Sequence, residues 1–476
     1  MVHCFKLFGD NIAYDANANS LHVVSDVTAE IISVAILFGN SHDGETSSRV
    51  PLNDGFYDAG AFRDIKRRYG AAETHEAVDE INNLAAVGQI FVPDDEEPGA
   101  ESLAATYVFK SMCMHMAHDC NMRCAYCFAS GGKYGMKREL MSYETACAAI
   151  DFISAASVGR TNIEIDFFGG EPLLDYDVIK QVVDYAKKRE TEYKKNFRFT
   201  LTTNALLLDD EKINFINENI DNLVLSIDGR KEVHDAVRKR VDGSGTYGEI
   251  LKKIKAATVN RDASWYVRGT YTHNNMDFAN DVLHLADLGL DRISVEPVVS
   301  PPDPALGFTQ RDAAAITAEY ERLALAMRER EMQGRPVDFF HFKVDLEGGP
   351  CLARRVKGCG AGYEYVAVAP DGGIYPCHQF AGLESFRLGD VYAGITNHAV
   401  TMQFKDTSIY TKPECRGCWA KYLCGGGCAA NAWQNNGDIN KPDDLYCGLF
   451  RKRMECALWL KCAAYAAPAG EDGDGS

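Results

Sequence analysis

The chain has 476 residues, 46% hydrophobic and 25% charged, enough for two or three globular domains with ordinary cores. Its formal net charge is −18, and a surface this acidic repels phosphate backbones, so nucleic acid is not an expected partner. There is no run of about 18 apolar residues, and the opening MVHCFKLFGDN has no basic segment followed by an apolar one. No membrane span and no export signal are expected, and the expected compartment is the cytoplasm.

Residues 1–95 form the first unit. HCFKLF, NIAYDA and SLHVVS are short strands, with NANANS as a polar turn between the last two. VTAEIISVAILFG has helical spacing, and THEAVDEINNLAAVG is a helix closed by Gly88. VPDDEEPGAES, acidic with Pro and Gly, is a linker.

Over 106–333 strands and helices alternate. YVFKSMCMHM, IEIDFF, FRFTLTTN, NLVLSID, YVRGTYT and RISVEPV are the strands. SYETACAAIDFISAA, DVIKQVVDYAKKRE, DDEKINFINENI and DFANDVLHLADLG are helices between them, and AAAITAEYERLALAMRER follows the last strand. Such alternation predicts an α/β fold with a parallel sheet. Six repeats are too few for an eight-fold barrel, so a partial (β/α)6 barrel is expected. From 340 to 465 Gly and Cys rise and helical periodicity fades, which suits a domain held by metal rather than by a large core. The tail, 466–476, is expected to be disordered.

Sixteen cysteines without an export signal are poor candidates for disulfides. They also cluster: four fall in 113–127, ten in 351–462, and none between Cys147 and Cys351. Metal ligation explains this better than scattered core thiols. Cys120, Cys124 and Cys127 follow the first barrel strand, in a loop at the end where barrel enzymes carry their active residues. Three thiolates around a four-iron cluster leave one iron open, as catalysis requires. Zinc completed by His115 or His118 is the alternative. After the second barrel strand comes FFGGEP, with two glycines that bare the backbone and Glu171, which can take a cation.

A Cys-x3-Cys-x-aromatic-Cys loop followed by GGEP resembles the radical SAM superfamily. The resemblance implies that Cys120, Cys124 and Cys127 hold a 4Fe-4S cluster whose free iron is chelated by S-adenosylmethionine. It implies that Tyr126 packs near the adenine and that Gly169, Gly170 and Glu171 contact the methionyl amine. Asn204 and Ser226 match polar strand-end positions, and Arg238 is a looser match for the carboxylate. Reductive cleavage of the cosubstrate would then yield a deoxyadenosyl radical.

Cys359-x12-Gly372-x4-Cys377, then Cys415-x2-Cys418-x5-Cys424-x3-Cys428 and Cys447, resembles the SPASM domain with its two auxiliary 4Fe-4S clusters. That implies three clusters in all. Cys359, Cys377 and Cys428 fall to the first auxiliary cluster, with Cys351 left open as a fourth ligand. Cys415, Cys418, Cys424 and Cys447 fall to the second. A zinc ribbon of Cys415, Cys418, Cys424 and Cys428 is the alternative. Cys4, Cys113, Cys147, Cys456 and Cys462 are expected to be core thiols.

KSMCMHMAHDCNMRCAYCFASGG, DFFGGEPLLDYDVIK and AVAPDGGIYPCHQFAG together resemble the maturases of six-cysteines-in-forty-five peptides, which form thioethers in ribosomally made peptides. The first unit resembles their winged-helix-like leader recognition element. The implied partners are a Cys-rich precursor peptide bound through its leader and a one-electron reductant such as flavodoxin or ferredoxin. A SPASM maturase of the formylglycine-forming type is the alternative enzyme, and an iron–sulfur electron carrier the alternative outside enzymes.

Overall fold

The computed structural model describes residues 1–42, 52, 54–94, 108–299, 301, 303–347 and 352–466. Cys351, most of the expected linker and all but the first residue of the expected tail lie outside the described residues.

The chain begins with a three-stranded antiparallel meander, β1 (Val2–Leu7), β2 (Asp10–Asp15) and β3 (Ser20–Val24), with β2 in the middle. Helices α1 (Asp26–His42), α2 (Gly60–Tyr69) and α3 (Ala71–Ala86) follow. The sequence did not single out α2, because among its charged residues only Phe62 and Ile65 are buried.

Six parallel strands form the centre: β4 (Ser111–Ala117), β5 (Asn162–Gly169), β6 (Asn196–Thr203), β7 (Asn222–Ser226), β8 (Ser264–Tyr271) and β9 (Arg292–Pro297). They neighbour one another in chain order. Every crossover therefore turns the same way, and right-handed connections put the helices on one face. Among them are α4 (Tyr143–Ala156), whose N-cap Ser142 accepts from Thr145 N, α5 (Tyr176–Tyr193) and α6 (Asp210–Asn219). Two-residue alternation sorts the side chains. In β5, Ile163, Ile165 and Phe167 are buried in the main core while Glu164, Asp166 and Phe168 turn inward. In β8, Trp265 and Val267 are buried and Tyr266, Arg268 and Thr270 turn inward. The outer face is apolar and the inner face polar. The α/β class with a central parallel sheet is as expected.

The C-terminal region is not set apart. After the two-residue β10 (Asp338–Phe339), which pairs with β9, β11 (Tyr365–Val368) pairs in parallel with β4. Then β12 (Gly373–Tyr375), β13 (Gly389–Asp390) and β14 (Gly394–Ile395) extend the same sheet antiparallel. It also contains a 23-residue helix, Asp444–Ala466, that packs along the helix Ala313–Met332. The sequence pattern missed its length because Gly448, the Arg451–Arg453 charges and three cysteines interrupt the apolar spacing.

The first unit is not separate either. Ile12 and Tyr14 of β2 join the main core, whereas Ala13, on the other face, packs with α1 and α3. The meander is thus covered on both sides. His3 stacks on Trp419 at 4.1 Å and bonds Glu455 at 2.9 Å, and Trp459 Nε1 donates to Asp10. Asp94, in the expected linker, forms an ion pair with Lys421, itself only 1% exposed, and accepts from Tyr422.

Candidate active site

The loop after β4 is built around its own backbone. Asp119 accepts from Cys120 N at 2.8 Å, and Cys127 N closes a turn on Cys124 O. Arg123 N and Ala125 N donate to Lys239 O and Val237 O. This docking brings Arg238 beside Tyr126, whose hydroxyl accepts from Arg238 Nη1 at 2.8 Å and donates to Asp228 at 2.8 Å. Burial raises Asp228 to about 6, with the Arg238 charge and the Tyr126 bond holding it down.

The GGEP turn lies against that loop. Gly170 N donates to Ala117 O and Glu171 N to Asp119 O. A Cβ at Gly170 would stand 2.1 Å from Asp119 O, and one at Gly169, where φ is +121°, 2.5 Å from Ala117 O. The glycines are therefore required by backbone packing, not only by the approach of a ligand. Glu171 is held by the chain's own donors. Its side chain is fully buried and accepts from Thr203 Oγ1 at 2.7 Å, Asn204 N at 2.8 Å and Leu173 N at 3.1 Å. Burial raises it to about 6 against those donors. It ties the end of β5 to the end of β6: Oε1 takes two of these donors and Oε2 one.

Nine of the ten residues singled out for the cluster and its cosubstrate line one cavity at the C-terminal ends of the strands; Glu171 is the exception. Asn204 Nδ2 donates to Asn121 at 2.7 Å and points at Cys120 Sγ, 3.6 Å away. Among the described residues Arg238 Nε is buried without a hydrogen-bond partner. Burial, with the Glu171 charge, pushes Cys120 up to about 12; burial, opposed by Arg238, pushes Cys124 up to about 11. Sequence reasoning missed Thr202, Arg268, Glu296 and His378, which line the same cavity. Arg268 Nη2 donates to Glu296 at 2.6 Å, and that charge pulls Glu296 down to about 2. A charged residue at an inward position near a strand end was the available signal.

Seven of the remaining cysteines act on one another in two groups. Buried Cys377 is pushed up by burial and by Cys428 and Cys359. Cys447 is raised to about 12 by burial and by Cys424, Cys415 and Cys418. In neither Cys4, Cys147, Cys456 nor Cys462 does another thiol contribute. Cys113 is fully buried in β4. Among the described residues no three His, Cys, Asp or Glu converge on the position of a single ion. A four-iron cluster is wider than an ion and spaces its thiolates around itself. Burial, reinforced by neighbouring thiols, raises Cys377, Cys415, Cys424, Cys428 and Cys447, so a metal would have to displace their protons. The loop of Cys120, Cys124 and Cys127, open to the cavity, fits one iron–sulfur cluster.

Residues 114–277 match the model of the Radical SAM superfamily. The cysteine-type anaerobic sulfatase-maturating enzyme of Clostridium novyi (strain NT) is 24% identical over 71% of this chain and 92% of its own. The PqqA peptide cyclase of Gluconobacter oxydans (strain 621H) is 23% identical over 73% and 93%. Among solved structures, native anSMEcpe with bound AdoMet superposes with a TM-score of 0.62 over 75% of this chain and 99% of that one, at 20% identity, a likeness of fold. The matched residues hold the three-cysteine loop, the GGEP turn and most of the strand ends around the cavity, and residues 114–277 are a radical SAM domain.

Proposed function

We propose that this chain is a radical S-adenosylmethionine enzyme that forms thioether bonds between a Cys sulfur and a carbon of another residue in a ribosomally made, Cys-rich precursor peptide. The observation that carries the reading is a shared cavity. His378 and Gln379, which follow Cys377 of one thiol group, line the same cavity as Cys120, Cys124 and Cys127. A carbon-centred reaction and a sulfur-handling group would then meet at one substrate.

Cys120, Cys124 and Cys127 would hold the first cluster; Cys359, Cys377 and Cys428 the second; Cys415, Cys418, Cys424 and Cys447 the third. When bound, cluster and cosubstrate would supply a hydrogen-abstracting radical, and a second cluster an acceptor for the spare electron. The chain's own residues orient them. Arg238, with Nε free, would take the cosubstrate carboxylate; Tyr126, fixed by Asp228, would flank the adenine; Asn204 and Ser226 present polar groups from strand ends. Gly169 and Gly170 offer backbone to the methionyl amine, and Glu171 stiffens the turn behind them. A flavodoxin or ferredoxin would deliver the reducing electron. The leader would add to the edge of β3 in the winged-helix-like first unit, since among the described residues β3 pairs with β2 on one side only.

The test is anaerobic turnover with S-adenosylmethionine, reductant and a short Cys-rich peptide encoded beside this chain. The expected product is lighter by two hydrogens per crosslink, with one deoxyadenosine formed for each. Deoxyadenosine with an unmodified peptide overturns the reading. The similarity to sulfatase-maturating enzymes favours a second reading, oxidation of a Cys to formylglycine, and an aldehyde in the product would select it.

A further inference from the structure

The oxidation proposed above releases a proton, and most carboxylates around the cavity are already committed. Asp119 bonds Cys120 N and stands beside Arg123 and Arg138. Glu171 accepts three donors and Asp228 is bonded by Tyr126. Glu296, paired with Arg268, is a weak base.

Asp166 differs. It lies on the inner face of β5, one alternation below Phe168, which lines the cavity. Among the described residues its one hydrogen bond comes from the Thr202 hydroxyl, long at 3.4 Å, and Thr202 lines the cavity. The titratable groups that act with it are Cys113 on β4, Tyr266 and Arg268 on β8, Tyr365 on β11 and Tyr134 from the cysteine loop. Glu296 on β9 acts on Tyr266 and Arg268, and Arg268, the one cation of the set, is engaged by it. Burial raises the Asp166 carboxyl to about 7 against Thr202 and Arg268. Below lies a second cavity at the N-terminal ends of the strands, lined by Thr200, Tyr266 and the exposed Arg198 and Glu164. Thr200 is the register partner of Asp166. Asp166 therefore stands between the reaction cavity and a mouth open to solvent.

We propose that Asp166 receives, through the Thr202 hydroxyl, the proton lost by the substrate during crosslinking, and releases it to solvent at the N-terminal mouth of the sheet. This rests on the thioether reading. For each bond, one C–H and one S–H break and one C–S forms. The hydrogen atom goes to the cosubstrate's 5′ carbon, the proton to Asp166, and one electron to an iron–sulfur cluster as oxidant. Asp166 acts through Thr202 and does not touch substrate.

The holoenzyme, with the adjacent-encoded Cys-rich peptide, tests this in two ways. Infrared difference titration of the wild type should show a protonated-carboxyl band that disappears as pH rises through about 7 and is missing in Asp166→Asn. The ratio of crosslink to deoxyadenosine should rise with pH across the same range in the wild type. At pH 7 it should fall at least tenfold in Asp166→Asn and Thr202→Val, and Asp166→Glu should recover part of it. An unchanged ratio in Thr202→Val, or the same band in Asp166→Asn, overturns the relay. If Asp166→Asn does not fold, the wild-type titration and Thr202→Val decide. Wild type that makes deoxyadenosine but no crosslink fails the underlying reading instead.

Discussion

Tyr126 has one hydroxyl between an acid and a base, taking a bond from Arg238 and giving its own to Asp228. Tyr126→Phe leaves Arg238 less fixed and Asp228 short of a donor, a loss of about 1–2 kcal/mol. Calorimetric titration with S-adenosylmethionine should then show Kd raised about tenfold. Glu171 makes a different prediction, about pH. Its folded pKa of about 6 lies above the ordinary carboxyl value, so its contribution to stability is complete at low pH and is lost as pH rises through about 6. Anaerobic urea unfolding should find Glu171→Gln furthest below the wild type near pH 4, with the gap closing by about 2 kcal/mol on going to pH 7. The cysteines were legible from sequence because ligand spacing within a loop is local. Thr202, Arg268 and Glu296 were not, because their convergence depends on the curl and register of strands far apart in the chain.

Among the described elements β3 has a free sheet edge, while its Leu21 packs against the main core and Val23 is 56% exposed. Unpaired backbone groups on that edge suit an incoming strand. Amide exchange across Ser20–Val24 should slow when precursor peptide is added, with the central β2 unaffected; uniform protection or none speaks against strand addition. Deleting residues 1–95 is a coarser probe, since it also strips Ile12 and Tyr14 from the core. The six central strands were readable because most alternate apolar and polar residues, as in β5, β6 and β8, and because periodic helical segments separate most of them. The join of β11 to β4 was not, because a four-residue strand carries little pattern and its partner lies some 250 residues away.

For the molecule as a whole, three donor groups predict about twelve irons in the fully loaded protein. Replacing Cys120, Cys124 and Cys127 together by Ala should remove a third of that iron and all cleavage of S-adenosylmethionine, since the other two groups lie on separate segments. Iron and sulfide analysis after anaerobic reconstitution checks it. Among the described residues no helix is long and apolar enough to cross a membrane. The contact between His3 and Glu455 spans 452 residues. A ribosome needs roughly 20–90 s to make that stretch, and until the last helix emerges the meander's inner face, with Phe5 and Leu21, lacks that helix's share of its cover. Synthesis therefore imposes a waiting time on the first piece made. Chains arrested before residue 444 should be cut readily by protease within the meander or captured by a holdase chaperone, and chains arrested once residue 466 has cleared the exit tunnel should resist both.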